Sequence, residues 1–339
     1  MKKIQKLIVA TLICAAFTSN VFAAKKNAKP KTIRIGTSNG ESGNFDGIFG
    51  IARKLGYFNE ELEKIGYEPE FLGFKNGVAI NEAFLSGELD ITSIGDVPAL
   101  TGFANSVPYK WVGVNSAFHN AAVVTKKNSG IKTAQDLQGK QVALGIGTSP
   151  QFFFESYLKS NKVQKDKVDI VNIPNSAEAV TALLTGNVDA IAVVAMSAWA
   201  SIADGEAELL VDSKDYPEWT GQQIILASNK IIKKDPNVVV AVLKAVIRAK
   251  EAFAADPKRD YITLSGQRLG KHPEIGERIF NLDGGKFENL NGVIDESRIV
   301  REQSVYDFLY SIKRIYVKKD LHSFADDSFY KKAVNELKD

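Results

Sequence analysis

Apolar and polar residues alternate through Thr32-Ile33-Arg34-Ile35-Gly36 and then give way to a stretch rich in Ser, Gly and Asn. A period of two marks a strand with one covered face, and the polar stretch after it reads as a loop at the strand's C-terminal end. The period lengthens through Ile48, Ala52 and Leu55, which predicts a helix that stops at Gly56. Glu68 to Phe74 reads as a second strand, Val78 to Leu85 as a second helix and Leu89 to Ile94 as a third strand. The order β-α-β-α-β predicts a mainly parallel sheet with helices on its faces. The same order returns as Gln141 to Gly145, Pro150 to Lys159, Val168 to Ile173, Ala177 to Leu184 and Ala190 to Val194.

The recurrence extends to residues. The string Glu-Ala-Phe-Leu-Ser-Gly-Glu-Leu-Asp-Ile from Glu82 returns as Thr-Ala-Leu-Leu-Thr-Gly-Asn-Val-Asp-Ala from Thr181, with Ala83/Ala182, Leu85/Leu184, Gly87/Gly186 and Asp90/Asp189 identical. A repeat spaced by about one domain length is too long for a solenoid and predicts two similar lobes with a cleft between them. The apolar runs Trp111 to Val114 and Ala121 to Val124 lie near the first crossing between lobes, and Gln223 to Leu226 forms the return. Helical periodicity over Pro236 to Phe253 and Glu296 to Val317 places two late helices back on the first lobe. The expected organisation is therefore α/β and two-lobed: residues 33–121 and 222–339 form lobe I, and residues 122–221 form lobe II. Two linking segments make a hinge, and a hinge permits closure around a ligand.

The N-terminus changes the charge picture. Lys2, Lys3 and Lys6 precede an apolar stretch from Leu7 to Phe17 and a small-residue exit at Val21-Phe22-Ala23, the order of a secretory signal peptide over residues 1–23. That apolar stretch is too short to span a bilayer, which needs about twenty residues. Residues 24–32 are a polar, lysine-rich lead read as a flexible spacer. The whole chain has 43 basic and 40 acidic side chains, and loss of the leader's lysines makes the mature protein near neutral. Its charge therefore gives no reason to expect a nucleic acid or membrane partner. The single cysteine, Cys14, lies inside the leader after Ile13, a residue bulkier than lipoprotein signals place there, so no lipid anchor is expected. A mature chain from Ala24 has no disulfide, thiol nucleophile or thiolate metal site. It reads as an exported chain.

In parallel sheets, ligands bind beyond the carboxyl ends of the strands. That rule selects Ser38, Asn39 and Asp46 after the first strand, Gly95 and Asp96 after the third, Phe118 and His119 at the first crossing, Thr148, Ser149 and Phe152 at a second-lobe helix start, Met196 and Trp199 after the last second-lobe strand, and Gln222 at the return. The sharpest local pattern is Gly145-Ile146-Gly147-Thr148-Ser149-Pro150, a glycine-rich turn leading into a helix. Free backbone N–H groups and the helix dipole favour an anion there, while the same hydroxyls equally suit a helix cap. No Gly-Lys-Ser/Thr follows, so it is not a P-loop. Asp96 reads either as an N-cap or as a cleft carboxylate, and Phe118, Phe152 and Trp199 either as core or as stacking surfaces. Lys75 reads as a solvated loop lysine or as an attractor of anions at the cleft mouth. His119, His272 and His322 lack metal-ligand spacing, and no serine has a nucleophile-elbow context, so neither cofactor nor metal is expected.

Four segments together resemble the periplasmic substrate-binding proteins of ABC transporters in the sulfonate, taurine, nitrate and thiamine-precursor group. They are Ser86-Gly87-Glu88-Leu89-Asp90-Ile91, Gly95-Asp96-Val97-Pro98-Ala99, the run Ser129 to Ala143 with its Asp136-Leu137-Gln138-Gly139-Lys140-Gln141-Val142 element, and Gly186-Asn187-Val188-Asp189-Ala190. The resemblance implies a type II-like two-lobed receptor that closes on a small anionic or heterocyclic solute and presents it to an ABC permease. It also implies that the loop after the first strand, the Gly95-Asp96 turn and the Gly147-Thr148-Ser149 helix start line the site. Sulfonate-type members carry a Trp-Asp-Pro-like stretch where this chain has Val194-Ala195-Met196-Ser197-Ala198-Trp199, without the acidic residue. An enzyme on the same fold, similar to thiamine-pyrimidine synthases, is the alternative. That branch uses a cysteine-rich segment with no counterpart in the mature chain.

Overall fold

The computed structural model describes residues 30–37, 47–74, 76–119, 121–256 and 291–338. The signal segment 1–23, most of the lead, and Ser38, Asn39, Asp46, Lys75 and His272 lie outside the described residues.

The first lobe begins with β1 (Lys31–Thr37), followed by α1 (Gly47–Lys54) and α2 (Tyr57–Glu63). The sequence pattern had suggested a single helix here. Gly56 ends it with φ 78°, and a second short helix starts one residue later. Next come β2 (Tyr67–Gly73), α3 (Gly77–Ser86), β3 (Ile91–Gly95), α4 (Asp96–Ala104) and the long β4 (Tyr109–His119). The chain then enters the second lobe through β5 (Ala121–Lys126), β6 (Gln141–Leu144), α5 (Ser149–Ser160), β7 (Asp169–Asn172), α6 (Ser176–Thr185), β8 (Ala190–Val194), α7 (Trp199–Ala203) and β9 (Ala207–Asp212). It returns with β10 (Gly221–Ser228), α8 (Asn229–Lys234) and α9 (Pro236–Ala255), and ends with α10 (Glu296–Ser311) and α11 (Ser328–Glu336).

Two five-stranded sheets result, ordered β2-β1-β3-β10-β4 and β7-β6-β8-β5-β9. In each, the three repeat strands are parallel. Two more strands complete each sheet through antiparallel pairings: β10 and then β4 in the first, β5 and then β9 in the second, so that β10 and β5 run against the parallel set and β4 and β9 run with it. The lobes therefore share one topology, and each receives an antiparallel strand from a crossing segment.

Alternation decides which residues face which layer. Along β10, Ile225 and Ala227 join the core beneath α1, α2 and α9, while Ile224 and Leu226 join the core beneath α3, α4 and α10. The second sheet divides likewise, Ala122 and Val124 facing one side and Ala121 and Val123 the other. Each lobe is thus a sheet between two helical layers, with strands buried on both faces. The late helix α9 is apolar on most of its surface because it lies in that layer, with Val239, Val242, Val246 and Phe253 buried. Each such side chain contributes roughly 1.5–3 kcal/mol by leaving water.

The ten-residue repeat has one structural role in both lobes. Gly87 and Gly186, with φ 73° and 80°, end α3 and α6 in the left-handed conformation that glycine adopts without strain. Three residues on, Asp90 Oδ2 accepts from the backbone N of Arg34 at 3.0 Å, and Asp189 Oδ2 accepts from that of Gln141 at 2.9 Å. Each aspartate thus ties the third repeat strand of its lobe to the first repeat strand.

Candidate functional site

The chain delivers β3 to the lobe junction, where Gly95 turns it into α4 and leaves Asp96 as the first helical residue. Asp96 is fully buried. Its Oδ1 accepts from the backbone N of Val97 at 2.7 Å and from the hydroxyl of Ser149, and its Oδ2 accepts from the backbone N of Gln222 at 3.0 Å. Ser149 starts α5 in the second lobe, and Gln222 lies at the start of β10 on the return path. One carboxylate therefore joins both lobes and a crossing strand. The close approach needs Gly221, where a Cβ would sit 3.0 Å from Ser149 Cβ and 3.1 Å from Asp96 Oδ2.

The network continues into α10. Gln222 Nε2 donates to Glu302 Oε1 at 2.6 Å, and Glu302 is fully buried. Burial, and then the charge of Asp96, push its carboxyl well above the usual range, against the opposing pull of Arg301 and the Gln222 hydrogen bond. Arg301, its neighbour on the helix, holds Nη2 at 3.8 Å from Glu302 Oε1, too far for a hydrogen bond. Burial lowers the affinity of Arg301 for its proton, opposed by the charges of Glu302, Asp96 and Asp295. Further contacts cross the junction: Phe152 of α5 packs edge-on against Phe308 of α10 with ring centroids 5.2 Å apart, and Arg314 Nη2 donates to Ile146 O at 3.3 Å.

Asp96, Ser149, Phe152 and Gln222 of the expected site are thus brought together. Thr148 stands beside them as the N-cap of α5, its hydroxyl donating to Gly145 O at 2.6 Å and accepting from Gln151 N. Two backbone donors of the glycine-rich turn are taken by the chain itself, Ile146 N by Asn172 Oδ1 at 3.1 Å and Gly147 N by Gln151 Oε1 at 2.6 Å. Trp199 is buried in the core of the second lobe, and Met196 packs partly buried against that core. The backbone of β4 carries Phe118 and His119 to the crossing, and their side chains lie outside the described residues.

Sequence reasoning missed Arg301 and Glu302. A signal was available: Glu302 sits three residues after Ile299 and three before Val305, on the buried stripe of α10. A carboxylate on an apolar stripe is a buried charge in search of partners. Among the described residues, no group of three or more His, Cys, Asp or Glu side chains gathers to hold a metal ion. No described helix is long and apolar enough to cross a membrane.

Two sheets of one topology, linked by two crossings and meeting at a polar junction, define the two-lobed α/β fold of the periplasmic binding proteins. The model of the NMT1/THI5-like family matches residues 44–260, more than half of the chain, and the chain belongs to that family. A protein of Bacillus subtilis (strain 168), provisionally named as an aliphatic sulfonates-binding protein, is 25% identical over 99% of this chain and 98% of its own. The taurine-binding periplasmic protein of Escherichia coli (strain K12) is 27% identical over 59% of this chain and 62% of its own. Among solved structures, a protein of Methylobacillus flagellatus KT, provisionally named as the periplasmic sulfonate-binding protein of a sulfonate ABC transporter, superposes with a TM-score of 0.77. It is 23% identical, covering 91% of this chain and 96% of that one, a likeness that speaks for the fold.

Proposed function

We propose that the mature protein is a periplasmic receptor that closes on a small sulfonate-class solute and hands it to an ABC permease without chemical turnover. The observation that carries this reading is the junction at Asp96, where Ser149 of one lobe and Gln222 of the return strand converge on a single carboxylate of the other. A solute held between the lobes touches both walls only when they are together, so its binding energy favours the closed arrangement. The receptors among the relatives supply the solute class. The leader over residues 1–23 supports export, and residues 33–121 with 222–339 against 122–221 are the two bodies that move. The protein acts as a monomer in this reading.

Titration of the purified chain from Ala24 with taurine, alkanesulfonates, sulfate, nitrate and a thiamine pyrimidine tests it. Calorimetry is expected to find a sulfonate bound at about micromolar strength, equivalent to about −8 kcal/mol. Small-angle scattering is expected to show a smaller radius of gyration on binding. If no member of the panel binds or compacts the protein, the receptor reading fails. Turnover of a bound solute would instead make the protein an enzyme.

A further inference from the structure

Several buried charges among the described residues are matched. Glu61 meets Lys64, Lys244 and Arg248, Asp90 meets the guanidinium of Arg34 at 2.9 Å, and Lys250 Nζ donates to Val114 O at 2.6 Å. Arg301 is different. Its side chain is only 13% exposed, yet Nε and Nη2 have no hydrogen-bond partner among the described residues. These two nitrogens lie on one edge of the guanidinium, where their N–H bonds run parallel and match two oxygens of a carboxylate, phosphonate or sulfonate. The nearest acid does not fill that edge, since Glu302 Oε1 is 3.8 Å from Nη2 and instead receives Gln222 Nε2. Glu302 Oε2 is also buried and without a partner among the described residues. Burial and the charge of Asp96 raise the proton affinity of this carboxyl beside the arginine edge. Two donor nitrogens without acceptors among the described residues thus lie next to the Gln222–Asp96–Ser149 chain that spans the lobes.

We propose that Arg301 anchors the oxyanion of the solute, its Nε–H and Nη2–H edge donating to two oxygens of one group. The inference rests on the receptor reading above and deepens it. Burying a guanidinium edge that donates to nothing is costly to the free protein, and a bound anion removes that cost. The glycine-rich helix start, by contrast, already spends Ile146 N and Gly147 N on Asn172 and Gln151. Anion recognition therefore belongs to the late helix of the first lobe, and the hydroxyl of Ser149 serves to bring the second lobe against it.

Calorimetric titration of wild type, Arg301→Gln and Arg301→Lys with taurine, 1-butanesulfonate, butylphosphonate, valerate and uncharged 1-butanol tests this. The expected result is anion binding by wild type that weakens on the order of a hundredfold in Arg301→Gln. Arg301→Lys, which keeps the charge and loses the fork, is expected to fall between. Ligand-free Arg301→Gln is expected to melt at or above the wild-type temperature, because it sheds a buried guanidinium edge that has no acceptor. Wild-type affinity in Arg301→Gln overturns the inference and leaves the receptor reading standing. An Arg301-dependent phosphonate or carboxylate response, with both sulfonates inert, upholds the inference and overturns the sulfonate class. A wild type that binds none of the anions overturns both. An Arg301→Gln protein that melts well below wild type, or fails to fold, marks a structural arginine and overturns the inference.

Discussion

Glu302 shows how one residue links folding to proton uptake. Its carboxyl is fully buried, and burial together with the charge of Asp96 raises its affinity for a proton well above the ordinary range. The folded chain therefore holds a proton that the unfolded chain releases at lower pH. The stability this provides is fully present below the ordinary glutamate value of 4.5 and is lost as pH rises from there through the raised value. Glu302→Gln, which keeps an oxygen to accept from Gln222 and cannot ionise, is expected to flatten the fall of denaturant midpoint across that window. Urea unfolding of both proteins at a series of pH values measures it, and equal slopes would count against a titrating Glu302. Asp96 was legible in the sequence as a carboxylate at the end of a strand. Ser149 and Gln222 were legible as residues of the same cleft, but their pairing with Asp96 was not, because they lie 53 and 126 positions away and no local pattern specifies such pairings.

At the scale of elements, the twin Gly-x-x-Asp segments terminate a helix and lash one strand to another. The two lashings differ in surroundings, which predicts unequal costs. Asp90 is buried and also accepts from Arg34 Nε and Nη2, both at 2.9 Å, while Asp189 is half-buried and serves the backbone of Gln141. Asp90→Ala, leaving the guanidinium and a strand N–H without their acceptor, is expected to cost about 2–3 kcal/mol, and Asp189→Ala about 1 kcal/mol. Chemical denaturation of both variants checks the order. A second element-level device holds the start of α10 to the turn before α11, where His322 Nδ1 meets Asp320 Oδ1 at 2.6 Å and Nε2 meets Glu296 Oε2 at 3.1 Å. Hydrogen bonds to Asp320 and then Glu296 raise the histidine's proton affinity above its ordinary value of 6.5. The clasp is therefore complete below that value and loosens as pH rises through the raised one. An NMR titration of the His322 ring is expected to show that upward displacement, reduced in Asp320→Asn. These elements were readable in outline because strand and helix periods are local. The stop at Gly56 was readable too, whereas α2 was not, because its seven residues are too short to show a helical period of their own.

For the whole molecule, the balance between lobes rests on the contacts that cross the junction. The hydroxyl of Ser149 on Asp96, the Phe152–Phe308 pair and the Arg314 bond to Ile146 O all cross from one lobe to the other. Ser149→Ala removes the first and leaves Asp96 with its two backbone donors, Val97 N and Gln222 N. The fold is expected to survive with a change of about 1 kcal/mol or less, while the population of the closed arrangement falls. Small-angle scattering would then report a larger radius of gyration for the ligand-free variant, with a compensating weakening of solute binding of up to about tenfold. Identical scattering and affinity would show that the bond does not govern closure.

The sequence by itself determined the two-lobed architecture and the strand and helix order that the lobes share. Those features follow from burial with period 2 or 3.6 and from the backbone freedom of Gly87 and Gly186, all properties of neighbouring residues. Only the tertiary structure decided which polar side chains share one interior. Glu302 meets Gln222 across 80 positions, and Arg301 is placed at the same junction with its fork unspent. The cost or benefit of a buried charge depends on what surrounds it in three dimensions, and that is settled by packing, beyond the reach of any local pattern.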